Sequence, residues 1–237
     1  MTTPQVPQRS ALVQQVIAIL KSNIASGAWP VGSRVPLEAD LLAQYGVSRV
    51  TLRQAVQSLV HVGMLETIQG SGTFVRAASE LDTVLARFVA GEDLTYVLEA
   101  RLAIEAQASE IAATRATAED ISTLEALLDK SRRAAEGDDV NILAPLSATL
   151  HQAIVDAAQN PVLSRLYRGI DEGIERSVRQ ASAHQPLTVF VDEHSLIVEA
   201  IKSGDGAGAA AAARAHLLGA IREQDDVSGT SARTGVK

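Results

Sequence analysis

Cysteine is absent from the 237 residues. Disulfides, thiol catalysis and cysteine-ligated metals are therefore excluded. No apolar run approaches the ~20 residues that a membrane-spanning helix needs. The opening stretch, MTTPQVPQRS, has no apolar segment behind a positive end, so no secretory signal is read there and a cytoplasmic location is expected. No strand-like alternation follows residue 78, and no H-E-x-x-H run is present. Basic charge is also in deficit, with a formal net charge of -7.

That deficit is uneven. Residues 1–78 carry six Lys/Arg against three Asp/Glu, a net of +3, whereas the remainder carries fifteen against twenty-five, a net of -10. Such asymmetry suggests a small basic module joined to a larger acidic one. The length fits two domains, and 46% hydrophobic residues can supply a core to each. The expected layout is a loose N-terminus at 1–8, a basic domain at 9–78, an acidic helical domain at 79–226 and a disordered tail at 227–237.

In the basic part, Leu12, Val16, Ile19, Leu20 and Ile24 recur at helical spacing. GAWPVGSRVP ends that helix, LEADLLAQYG forms a short second one with Gly46 as its C-terminal cap, and Ser48 can cap a third. MLETIQGSGTFVRA reads as two short strands around Gly70-Ser71-Gly72. Three helices followed by a hairpin make a winged helix-turn-helix. The rest reads as helices over roughly 81–90, 94–115, 118–136, 141–159, 162–183, 187–203 and 206–224. The fold class is thus mostly α, a winged helix-turn-helix followed by an all-α antiparallel helical bundle.

A helix-turn-helix presents the start of its second helix to base edges in the major groove. Here that start carries Ser48, Arg49, Thr51 and Arg53, with Gln54 and Gln57 on the same stripe and Ser71 at the hairpin tip. Arginine can bond guanine bidentately, and hydroxyls and amides can reach bases or phosphates. A solvated face of an ordinary amphipathic helix gives the same local pattern. The capped turn, the hairpin and the local positive charge together favour a double-stranded DNA partner. Trp29 and Tyr45 read as packing residues.

The G-x-W-P-x-G-S-R-V-P turn, YGVSRVTLRQAVQSL and GSGTFV resemble the N-terminal domain of GntR-type transcriptional regulators. LEARLAIEAQASEIAA, LHQAIVDAAQNPVL and EHSLIVEAIKSGDGAGAAAAARAHL resemble the all-helical, FCD-type ligand-binding domain of the FadR subgroup. The resemblance implies a homodimer on a palindromic operator, controlled by a small organic acid bound in the C-terminal domain. Two departures remove basic residues that the family often has: Ala39 stands in place of an arginine, and Ser71 occupies the wing tip.

Four of the five histidines fall in the helical part, among them His151, His194 and His216. His194 lies ten residues before Gly204 and His216 twelve after it. An antiparallel pair of helices would bring both to roughly 15–18 Å from the turn. Side by side they could share a metal, with His151 as a third imidazole. Separate, hydrogen-bonded histidines fit the spacing equally well. The resemblance implies the metal reading, because these positions match the family's metal-ligand histidines, with zinc or nickel the ions that suit imidazole best. It also implies that Arg101 faces the effector carboxylate, against the alternative of an i,i+4 salt bridge with Glu105. Four residues before His151, where the family commonly has an aspartate, stands Ser147, placed beside the effector. A helical metal-dependent enzyme or binding protein with a vestigial DNA module is the alternative, since three histidines also make catalytic zinc sites.

Overall fold

The computed structural model describes residues 8–181 and 186–234. The chain forms two compact units, Met1–Val84 and Leu85–Lys237, so the division falls a few residues later than the boundary at 78 read from sequence. The loose N-terminus expected at 1–8 lies almost wholly outside the described residues.

The first unit contains α1 (Gln8–Ala25), α2 (Glu38–Tyr45), α3 (Arg49–His61), β1 (Leu65–Ile68) and β2 (Gly72–Val75). Gly46 ends α2 in the left-handed conformation, φ 63°, and its N–H returns to the Leu42 carbonyl. Ser48 accepts the Thr51 N–H at the start of α3. The strands pair antiparallel from Leu65↔Val75 to Ile68↔Gly72, and Arg34 bridges to Phe74 beside them. Val16, Leu20 and Ile24 of α1 pack with Leu41, Leu52, Leu59, Met64 and Val75. Leu12 and Ile19 stay exposed, and Ile17 is buried in their place.

The described residues of the second unit form helices and the turns that join them, with no strand. It comprises α4 (Glu80–Ala90, across the division), α5 (Leu94–Arg115), α6 (Ala118–Glu136), α7 (Val140–Ala157), α8 (Pro161–Tyr167), α9 (Asp171–Ala181), α10 (Leu187–Lys202) and α11 (Gly206–Thr234). Helix starts follow local chemistry. Thr117 and Asp120 form a reciprocal capping box at α6, and Asn160 caps α8 with Pro161 just inside. Helix α5 packs against α7 and α11, α6 against α7 and α10, and α10 against α11. Leu98, Ala108, Leu124, Leu150, Ile154, Ile197, Ala213 and Leu217 lie in the shared core.

Two expectations need correction. The single helix expected over 162–183 is broken by a 3-10 turn at Arg168–Ile170, and 182–183 lie outside the described residues. Gly169 sits so close to Leu85 that a Cβ there would collide with its side chain, a tertiary contact with no local signature. The disordered tail expected from 227 meets a helix that continues to Thr234, with residues 235–237 outside the description. Once a helix is nucleated each further residue adds a backbone hydrogen bond, and Ser, Gly and Thr cost at most ~1 kcal/mol each relative to alanine. No proline follows residue 186 to force a stop.

Candidate nucleic-acid interface and candidate metal centre

On α3 the structure leaves Ser48, Arg49, Arg53, Gln54 and Gln57 exposed, with Ser71 exposed at the hairpin tip. Thr51 departs from the sequence reading. It is buried, and its hydroxyl lies 2.9 Å from the Ser48 hydroxyl. Its place one residue before Leu52 and four before Ala55 turns it to the apolar face, so it serves the cap. Val50 is exposed instead, an apolar group at the helix start of the kind that meets a thymine methyl.

Arg53 is held from outside its helix. Its Nε donates to Glu38 Oε2 at 2.9 Å, and the contact lowers the Glu38 carboxyl below its usual range. Across from it, the Arg34 side chain lies over Gly72, where any Cβ would strike the guanidinium. Arg34, Glu38, Arg53 and Gln57 thus line one cleft of about 370 Å³ between α3 and the wing. Sequence reading missed Arg34 and Glu38, whose approach depends on how the strands and α2 fold back.

In the second unit His151 of α7, His194 of α10 and His216 of α11 converge. One nitrogen from each lies within 4.8 Å of the others, and all three residues are buried. His151 Nε2 is 2.8 Å from His194 Nε2, and His216 Nδ1 is 2.7 Å from Glu193 Oε2. Burial lowers His151 to about 4, with Glu105 opposing the shift, and burial followed by the neighbouring imidazoles holds His194 well below its ordinary value. Both rings are therefore neutral near pH 7, the form that binds metal. Ser147 Oγ is buried without a hydrogen-bond partner. Three imidazole donors fit a zinc- or nickel-type ion, and such an ion would supply positive charge for holding an anion.

Arg101 lies in α5 with 1% exposure. Its Nε donates to Glu105 Oε1 at 2.7 Å and Nη1 donates to Ser177 Oγ at 3.3 Å, while Nη2 has no partner. The i,i+4 salt bridge weighed from sequence is therefore formed, with one edge of the guanidinium left over. Burial pushes Glu105 upward, but Arg101 and then His151 outweigh it and keep the carboxyl well below the usual range. The Tyr167 hydroxyl donates to the same Oε1; burial and the Glu105 charge raise it well above its ordinary value, so it stays protonated. Glu105 Oε2 lies 2.7 Å from His151 Nδ1. That contact is close but bent away from good hydrogen-bond alignment, since Nδ1 has no well-formed partner.

Two sequence families match this layout. Residues 12–75 match the bacterial regulatory proteins, gntR family, and residues 96–219, more than half the chain, match the FCD domain. The chain belongs to the GntR family of regulators, in its FCD-bearing branch. It is 34% identical over 199 residues to the "Putative L-lactate dehydrogenase operon regulatory protein" of Escherichia coli strain K12, covering 78% of this chain and 76% of that protein. It is 26% identical over 227 residues to the galactonate operon transcriptional repressor of the same strain, covering 90% and 97%. A solved Streptococcus agalactiae GntR aligns with a TM-score of 0.59 at 25% identity, over 89% of this chain and 99% of that one. The protein is a transcriptional regulator of GntR/FCD type, and its families and relatives are regulators and not enzymes. Among the described residues no helix is long and apolar enough to cross a membrane.

Proposed function

We propose that this GntR/FCD regulator binds a palindromic operator as a homodimer in the cytoplasm and is controlled by a small organic acid held at a metal centre in its helical unit. Arg49, Arg53, Gln54 and Gln57 would carry base and phosphate contacts, with Ser48 and Ser71 on the backbone. One winged helix reads half a site, and a two-fold dimer matches a palindrome. His151, His194 and His216 would hold zinc or nickel. Arg101 and Ser147 would complete the effector site.

The observation that carries the effector reading is the convergence of three buried imidazoles beside a buried arginine with an unpartnered Nη2. Glu105 touches both the arginine and His151. A metal cation and a guanidinium edge together suit a carboxylate.

Selection of binding sites from a random duplex pool tests the DNA half; a two-fold symmetric consensus is expected, and no enriched sequence would refute it. Anisotropy titrations on that site with L-lactate, galactonate and other small organic acids test the effector half. The first two are chosen because the relatives are named for those operons. A saturable change in operator affinity with at least one acid is expected, and indifference to the whole panel with metal loaded would refute acid control.

A further inference from the structure

Both oxygens of Glu105 have polar neighbours. Oε1 takes Arg101 Nε and the Tyr167 hydroxyl, and Oε2 faces His151 Nδ1 at 2.7 Å. An ionised carboxylate has no hydrogen to offer. Although the contact is bent, a separation of 2.7 Å favours the hydrogen on His151 Nδ1, because otherwise a ring lone pair would lie against a carboxylate lone pair. His151 Nε2 is then bare. It lies 2.8 Å from His194 Nε2, so in the metal-free protein His194 must supply the hydrogen between them.

We propose that Glu105 is a positioning residue, which fixes His151 as its Nδ1–H tautomer, aims the bare Nε2 into the histidine triad and so sets the affinity of the triad for a divalent metal. The affinity claim rests on the metal reading above; the tautomer claim does not. Pairing with Arg101 alone would need only Oε1, whereas Oε2 is turned to the imidazole. Glu193 makes a similar approach to His216 Nδ1 at 2.7 Å, but its side chain is 38% exposed, against 2% for Glu105. Water can replace Glu193 there and cannot readily replace Glu105. A carboxylate behind a ligating histidine raises ligand basicity and fixes ring orientation, and its loss costs about 10–100-fold in metal affinity.

The test uses the full chain without a histidine tag. Zinc affinity is measured by competition with a chromophoric chelator for the wild type, Glu105→Gln and Glu193→Gln. Glu105→Gln should bind zinc about 10–100-fold more weakly, and Glu193→Gln should fall between it and the wild type. A folded Glu105→Gln with wild-type zinc affinity overturns the proposal. Because that substitution also disturbs a buried ion pair, a second measurement needs no variant: long-range proton–nitrogen NMR on wild-type protein with ¹⁵N-labelled histidine, which reads tautomers directly. Metal-free protein should show His151 protonated on Nδ1 and bare on Nε2. The opposite tautomer overturns the proposal whether or not zinc binds. Absence of zinc uptake by the wild type would overturn the metal reading and the affinity claim together, while the tautomer is still decided by the spectrum.

Discussion

In the N-terminal unit Arg49, Arg53, Gln54 and Gln57 stand exposed on α3, and the ion pairs Arg53–Glu38 and Arg76–Glu66 are open to water. In the C-terminal unit Arg101, Glu105, His151 and His194 are each at most 2% exposed and form one connected cluster. Exposed pairs contribute little to stability, so the first set can serve a large external partner without holding the fold. Buried charges are costly when left single, so the second set couples any ligand it binds to the integrity of the helices. The difference suits the two proposed partners: a duplex must be met on a surface, whereas a small anion can be enclosed.

The largest expected effect is in the buried cluster. Arg101→Ala strands the Glu105 carboxylate and should destabilise the helical unit by about 3–5 kcal/mol, read as a lower urea midpoint. An unchanged midpoint would remove the contrast between the units. On the exposed side, Arg53→Ala should weaken operator binding by roughly 5- to 150-fold and relax specificity, while the unfolding midpoint stays put. Operator affinity unchanged in both Arg53→Ala and Arg49→Ala would take these residues out of the interface.

Ser147→Asp sharpens the comparison from inside. It adds a negative charge and a hard oxygen one helical turn before His151. Metal binding should tighten and an anionic effector should bind less well, both readable by calorimetry; movement of the two in the same direction would argue against a shared site. The smallest effect is at a helix start. Ser48→Ala removes the cap from Thr51 N–H and should cost about 1 kcal/mol in the N-terminal unit alone. A loss in the helical unit as well would show that the two do not unfold separately.

Much of the fold was legible because helix ends are chemically local. The segments read at 94–115 and 118–136 coincide with α5 and α6, where Asp93 and Thr117 cap the first turns. The short turn at Gly204 placed His194 and His216 at matching heights, and the rings do meet. What escaped reading is long-range. Glu105 meets Tyr167 at a separation of 62 residues and His151 across α5 and α7, so sequence offered only its i,i+4 partner Arg101. Arg53 reaches Glu38 across 15 residues, and Gly169 lies against the sequence-distant Leu85. The burial of Thr51 was also not legible: it adjoins the exposed start of α3 but shares a face with Ala55.

Elemental analysis of protein purified without a histidine tag bears most directly on the buried cluster as a metal centre. About one zinc or nickel ion per chain is the expected result, with uptake from added metal restoring it after chelation. No stoichiometric metal, together with no uptake of zinc, nickel or manganese, would contradict it.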